Sequence, residues 1–419
     1  MKKLTSLLLS LVMILTLSAF AMAEDGPTIV TVLSIDSSTS AIVEQFNKTH
    51  TDIQLEELLV TGGWAGVYQK LPSLIAADEA PGLAFISANN VPSYANEGFL
   101  RDITDLVNAE LNMDDYVDGV FDAQAVGGRY YGVPYEIRVE QAWYDKDVFD
   151  AAGVAYPSSD WNEAWTTEEW KENLAKLIGT NAEGNPVYGY ANQGNKWYFT
   201  QMQWLMPAYG LDAIFDEDGN PKWDSPECIA MMEDLVEMYN DGLIAPRDVI
   251  TANGVNSLVA NNQLAMYVGG TWNAEEFKEY NVSPMPLPGG SGNFWVDTWC
   301  LFEGSAEPEA AWEVAKWLCS KEYWDWKLEY DQSCCMPIRA DSFEEAKSKL
   351  WLWMSEEDRA CLFQSAEIAV PSQGHIAMAT LNPASQELLD QVLTGGYDSA
   401  EDVCKAVQEY WVAIINDEI

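Results

Sequence analysis

The sequence predicts an α/β protein built on an open sheet, and three observations carry that reading. Strand and helix patterns alternate as β-α-β-α-β over residues 28–86. The second half repeats this grammar, with helix-start signals ahead of apolar periods of 3.6 residues. An apolar share of 48%, with 12% aromatic residues, suffices for a large core and argues against disorder.

In chain order, Thr28 to Ser34 is a β-branched run and reads as a buried strand. Ile42, Val43 and Phe46 then follow at helical spacing. Ile53 to Val60 reads as a second strand. Val67, Leu71, Leu74 and Ile75 recur on one helical face, and Gly82 to Ile86 reads as a third strand. Further on, Thr166 and Glu169 form a capping-box pattern before Trp170, Leu174 and Leu177. Asp224-Ser-Pro226-Glu opens a helix whose apolar residues Ile229, Met232, Leu235, Val236 and Tyr239 fit its period. Leu264 to Val268 reads as a short strand. Pro308 begins a helix with Ala311, Ala315 and Leu318 on one side. Ala400 to Ile415 reads as a terminal helix with Val403, Val407 and Ile414 apolar. No repeat or low-complexity linker interrupts the chain.

The 419 residues suggest two or three domains at roughly 100–200 residues each. With 22 Lys+Arg against 66 Asp+Glu, the formal charge is −44. Such a surface repels phosphate backbones and anionic headgroups, so nucleic acid and acidic membranes are poor partners. Residues 1–23 have a basic start at Lys2 and Lys3, an apolar run from Leu7 to Leu17, and Ala21-Met-Ala23 at the end. This reads as a secretory signal cleaved near Ala23, the run being short for a membrane anchor. An exported protein, periplasmic or extracellular, is expected.

Seven cysteines follow: Cys228, Cys300, Cys319, Cys334, Cys335, Cys361 and Cys404. The odd count leaves at least one thiol unpaired. Adjacent Cys334 and Cys335 are poorly placed to bond each other. No CxxC pair suggests a zinc or redox site, and Cys319 reads as a small core residue.

The only histidines are His50 and His375, and no HExxH, GxxxxGK[ST] or GxGxxG pattern occurs. Asp216 to Asn220 starts like a calcium loop, but Pro221 and Pro226 interrupt it, so an acidic hairpin turn is expected. No metal and no cofactor is expected. Paired carboxyls for glycoside hydrolysis arise by chance among 66 acids and are not evidence. The 18 tryptophans are more informative. Trp170, Trp312 and Trp317 sit in helical patterns and read as core. Trp64, Trp272, Trp295 and Trp299 lie beside Gly, Asn, Thr or Asp at element ends. A flat indole there matches the apolar face of a pyranose ring, with nearby Asp, Asn, Glu or Arg for its hydroxyls. A cationic solute such as a polyamine or betaine is the rival ligand. An exported glycoside hydrolase is a second rival.

Four stretches resemble one family. Gly132-Val-Pro-Tyr-Glu-Ile-Arg138 leads into Trp143-Tyr-Asp-Lys-Asp-Val-Phe-Asp-Ala-Ala-Gly153, followed by the Trp-rich segment Trp161 to Lys171. Phe215 to Pro226 resembles the family hairpin and helix start. Asn262 to Trp272 is similar to "GkaAMyisGsW". Pro286 to Gly290 and Ala306 to Leu318 complete the set, the latter similar to "kNPEAAWeflkfL". Together they resemble a family-1 extracellular solute-binding protein, the receptor of a bacterial ABC sugar importer, similar to maltodextrin-binding proteins.

The resemblance implies a type II periplasmic-binding-protein fold, with two discontinuous α/β lobes and ligand between them. The implied lobes are 24–136 with 288–334, and 137–287 with 335–419. Hinge strands are implied near Tyr135 to Glu140, Leu287 to Asp297 and Gln332 to Ile338. The implied ligand contacts are Asp36, Trp64, Asn89, Glu136, Arg138, Tyr198 and Trp272. Trp295, Asp297 and Trp299 join them through the aromatic argument and the second hinge strand. The implied function is non-enzymatic: a monomeric receptor that delivers a mono- or oligosaccharide to the permease subunits of an ABC transporter. Three departures stand out. Gly82-Leu83 replaces the usual "PDv". Arg138 stands where some maltodextrin binders carry a carboxylate, so maltodextrin specificity does not transfer. No lipobox cysteine precedes the mature start.

Overall fold

The computed structural model describes residues 26–35, 37–193, 196–197, 199–216, 219–332, 336–372, 377–393 and 395–416. The signal segment 1–23, Asp36, Tyr198, Cys334, Cys335 and His375 lie outside the described residues. Two units emerge. One comprises the chain up to Phe85 with Leu301–Val314; the other comprises Ile86–Cys300 with the chain from Ala315.

In the first unit, β1 (Thr28–Ser34), β2 (Ile53–Leu59) and β3 (Leu83–Ile86) lie parallel in the order β2-β1-β3. Parallel neighbours need crossovers, supplied here by α1 (Ser37–Thr49) and α2 (Gly63–Ala76). The helical face read from spacing is the buried one: α2 buries Val67, Leu71 and Leu74. Every residue of β3 is buried, as a strand covered on both faces requires.

The second unit holds β4 (Gly132–Asp145), α3 (Thr167–Leu177), β5 (Gly179–Thr180), β6 (Pro186–Asn192), α4 (Pro226–Asn240) and β7 (Leu264–Gly270). It continues with β8 (Val282–Met285), β9 (Asn293–Leu301), α5 (Glu356–Ile368), β10 (Val370–Pro371), α6 (Met378–Leu393) and α7 (Ala400–Ile415). The 14-residue β4 is its axis. Its first half pairs antiparallel with β9, and its second half lies between β7 and β8. Beyond β7 the sheet continues through β6, which is parallel to β7, to the edge strand β5.

Local chemistry explains where the helices start. Thr166 Oγ1 accepts from the Glu169 N–H at 3.1 Å, and Glu169 Oε2 accepts from the Thr166 N–H at 2.9 Å, closing the capping box of α3. Ser225 caps α4 through the Cys228 N–H, with Pro226 in its first turn. The buried face of α4 runs through Cys228, Met231, Met232, Leu235 and Met238. Ile229, Val236 and Tyr239 lie at its margin. Counting Cys and Met as core formers rotates the face away from the one expected. The acidic turn also forms: Phe215 bridges Pro221, and Asp216 Oδ1 accepts from the Asn220 N–H at 2.8 Å.

Most indoles serve packing. Trp143, Trp170, Trp204, Trp223, Trp299, Trp312, Trp324, Trp351 and Trp411 are fully buried. Trp170 meets Tyr190 edge-on at 5.0 Å, and Trp411 donates its Nε1–H to Ser385 Oγ at 2.6 Å. The tryptophan excess is therefore mainly a property of the core. The five described cysteines, Cys319 among them, are free and buried.

Gly132, where β4 begins, shows how closely β4 and β9 approach. A Cβ there would lie 2.4 Å from the Trp299 carbonyl oxygen and 2.8 Å from Cys300 Cα, both backbone atoms that cannot rotate away. Gly132→Ala is expected to lower stability by about 2 kcal/mol or more through overpacking. Urea unfolding of the two proteins checks this; equal midpoints would contradict it.

Candidate functional site

The site begins with one extra residue. Along β4 and β9, Val133 pairs with Trp299 and Pro134 with Thr298, yet Glu136 pairs with Asp297. Tyr135 is thus a β-bulge, and the side-chain phase of β4 shifts by one after it. Pro134, with no N–H to give a ladder, suits the position before a bulge. Without the shift, Tyr135 and Ile137 would stand opposite Asp297 and Trp295. With it, Glu136 pairs with Asp297 and Arg138 with Trp295. Side chains of directly opposed residues project to the same face, so the bulge gathers these four on one side of the sheet.

Their contacts follow. Arg138 Nε donates to Glu136 Oε1 at 2.7 Å, and its Nη2 reaches the same oxygen. Arg138 Nε also lies 3.3 Å from Asp297 Oδ2. Glu136 and Asp297 are buried, while the Arg138 side chain retains 26% of its exposure. Burial pushes the Asp297 carboxyl up to about 6; Arg138 works against that shift, Glu136 adds to it, and the Ala88 N–H opposes it by donating to the carboxylate. Asn89, half-buried, is the next residue in this turn.

β7 brings an indole to the same face. Gly270 pairs with Glu140, and a Cβ on Gly270 would lie 2.2–2.4 Å from Cζ3, Cη2 and Cε3 of Trp272. The Trp272 ring therefore occupies the side-chain space of Gly270, beside Glu140. The turn holding it is clamped: Asn273 Oδ1 accepts from the Gly270 N–H at 2.9 Å, and Thr271 Oγ1 accepts from the Val139 N–H at 3.3 Å. Trp272 and Trp295 are both half-buried. The face thus carries an indole on either flank of a charged row, near the carboxyl end of β7.

The other expected contacts fall elsewhere. Trp64, half-buried near the start of α2, stacks on Phe85 at 5.1 Å and on Tyr68 at 5.9 Å within the first unit. Trp299 departs from the expectation of an exposed indole. It is 1% exposed and meets Tyr135 edge-on at 5.8 Å, because the bulged Tyr135 and Val133 cover that end of β9. Two residues not singled out by sequence, Glu140 and Asn293, stand on the Arg138 and Trp295 rows; period-2 alternation along β4 and β9 was the signal available for them. Among the described residues, no three His, Cys, Asp or Glu side chains are grouped to hold a metal.

Burial raises the Glu140 carboxyl well above its ordinary 4.5. In the folded state it then keeps its proton where the unfolded chain has lost it. Stability contributed by this group is full below about 4.5 and falls as pH rises above that value. Glu140→Gln removes the titration and keeps the shape. Its stability relative to the wild type is expected to grow as pH rises above about 4.5 in urea unfolding. A difference independent of pH would contradict this.

The chain was compared with known proteins. The sequence profile described as bacterial extracellular solute-binding protein matches residues 32–323. A Brucella abortus protein named only as a binding protein is 25% identical over 329 residues, covering 74% of this chain and 75% of its own. The galactooligosaccharide-binding protein of Bacillus subtilis is 22% identical over 386 residues, covering 87% of this chain and 84% of its own. Among solved structures, an ABC substrate-binding protein of Listeria monocytogenes in complex with cycloalternan superposes with a TM-score of 0.79 at 20% identity, over 93% of this chain and 99% of that one. This likeness in fold agrees with the type II binding-protein architecture. By the profile match over most of its length, the chain belongs to the bacterial extracellular solute-binding protein family.

Proposed function

We propose that the protein captures a neutral carbohydrate, a mono- or oligosaccharide, on the sheet face carrying Trp272, Arg138 and Trp295, and delivers it to the permease of an ABC importer. The observation that carries the reading is the pair of half-buried indoles flanking a row of fixed polar groups. Indoles cover the apolar faces of sugar rings, and the charged row offers donors and acceptors to hydroxyls. Micromolar binding requires about 8 kcal/mol. Each aromatic contact supplies only about 0.5–1.5 kcal/mol beyond its buried area, so the hydrogen-bonding row is essential. The galactooligosaccharide-binding relative and the cycloalternan-bound neighbour support the same ligand class.

Arg138 on the face disfavours a polyamine or betaine. Glu136 and Asp297 flank the same guanidinium, which disfavours their use as a hydrolytic acid and base, so binding without turnover is the proposed activity. Asp36, Trp64, Asn89 and Tyr198 belong to the proposal as further contacts. So do the two-lobe division given above, export through the signal at 1–23, and action as a monomer.

Isothermal titration with a panel of maltose, mannobiose, cycloalternan and galactooligosaccharides tests the reading, with spermidine and glycine betaine as controls. At least one sugar is expected to bind, and product analysis is expected to find it intact. Trp272→Ala and Trp295→Ala are each expected to weaken binding about threefold to tenfold, as loss of one stacking contact implies. Binding of spermidine or betaine in place of every sugar would overturn the proposal.

A further inference from the structure

Two buried polar atoms on this face have no hydrogen-bond partner among the described residues: Glu140 Oε2 and Asn293 Oδ1. Both residues are 4% exposed. Leaving a buried acceptor or donor unmet costs about 1–3 kcal/mol. Native proteins keep few such groups, and those that persist commonly meet water, an ion or a ligand.

The two groups belong to one place. Pairing of β4 with β9 ends at Val139 with Phe294. The next residue along β4 is Glu140, and the next along the oppositely running β9 is Asn293. By alternation Glu140 continues the Glu136–Arg138 row, and Asn293 continues the Asp297–Trp295 row. On its other side Glu140 pairs with Gly270, whose side-chain space holds the Trp272 ring. Directly opposed side chains lie roughly 4.5–5.5 Å apart at Cβ. The register thus puts Glu140 between Gly270, under the Trp272 ring, on one side and the Asn293 end of β9 on the other. The titratable group that acts on it is Tyr190 on β6; Glu136 and Arg138 precede it on its own row of β4. Arg138 is already engaged by Glu136 and Asp297.

We propose that Glu140 and Asn293 are ligand-contacting residues that together take a vicinal diol of the sugar ring stacked on Trp272. The Glu140 carboxyl donates to one hydroxyl, and the Asn293 amide oxygen accepts from its neighbour. Burial, with nothing opposing it, keeps the proton on Glu140 well past the ordinary carboxylate range, and so supplies the donor. A quaternary ammonium offers no hydroxyl to this pair, and a sugar acid would bring a second carboxyl beside it. The ligand class is therefore narrowed to a neutral sugar with a free vicinal diol. This rests on the carbohydrate reading above.

The test is titration of the same sugar panel into the wild type, Trp272→Ala, Glu140→Ala, Glu140→Gln and Asn293→Ala, with thermal melts to verify folding. Glu140→Ala and Asn293→Ala are each expected to lose about tenfold in affinity, the loss of a single hydrogen bond in a dry site. Glu140→Gln keeps a donor and an acceptor of the same shape and is expected to stay within about threefold of the wild type. If Glu140→Ala does not fold, Asn293→Ala decides. Wild-type affinity in the alanine variants, with Trp272→Ala weakened, overturns this proposal and leaves the carbohydrate reading standing. A wild type that binds no panel sugar overturns both.

Discussion

Everything at the site depends on one extra residue in a strand. Tyr135 adds a single position to β4 against β9, and with a side-chain period of two that single position exchanges the faces. Ile137 is turned away from Asp297 and Trp295, and Glu136 and Arg138 stand opposite them instead. A strand with no bulge would turn Glu136 and Arg138 to the face that Ile137 and Val139 now occupy, away from Asp297, and desolvate them without that partner. The bulge removes that conflict and, by the same displacement, assembles a polar row between two indoles.

The row is held by unequal charge. Glu136 and Asp297 converge on Arg138 in a mostly buried setting, where breaking one partner away would leave the others uncompensated. Such a cluster fixes side-chain positions before any ligand arrives, which lowers the ordering cost of binding. The Ala88 N–H ties the turn carrying Asn89 to the same carboxylate. Gly270 plays the complementary part: having no side chain, it leaves room for the Trp272 ring to lie against the strand.

Much of the fold was legible because it is written locally. The parallel β1-β2-β3 unit follows from β-branched runs separated by helical periods. The α3 start follows from Thr166 and Glu169, and the terminal helix Ala400–Ile415 follows from its apolar spacing. The buried face of α4 was misplaced because its Met and Cys residues fill core as readily as aliphatic ones. At the site, the resemblance indicated Glu136, Arg138 and Trp272, yet beyond the weak hint of Pro134 no local signal marked the bulge. Register depends on a partner strand in a distant part of the chain, and alternation alone cannot say where it slips. Trp299 shows the same limit: the aromatic and polar run of β9 looks uniform in sequence, but Trp299 is buried and only its Trp295 end is left half-exposed. Glu140 and Asn293 were passed over because their meaning appears only when β4, β7 and β9 are laid side by side.

The most direct test of the account is a crystal structure of the protein grown with whichever panel sugar binds most tightly. The account predicts that Tyr135 is bulged out of the β4–β9 ladder and that a sugar ring lies against Trp272 or Trp295, with hydroxyls bonded to the Glu136–Arg138–Asp297 row. A regular ladder through Tyr135, or a sugar bound on the opposite face of the sheet, would contradict it.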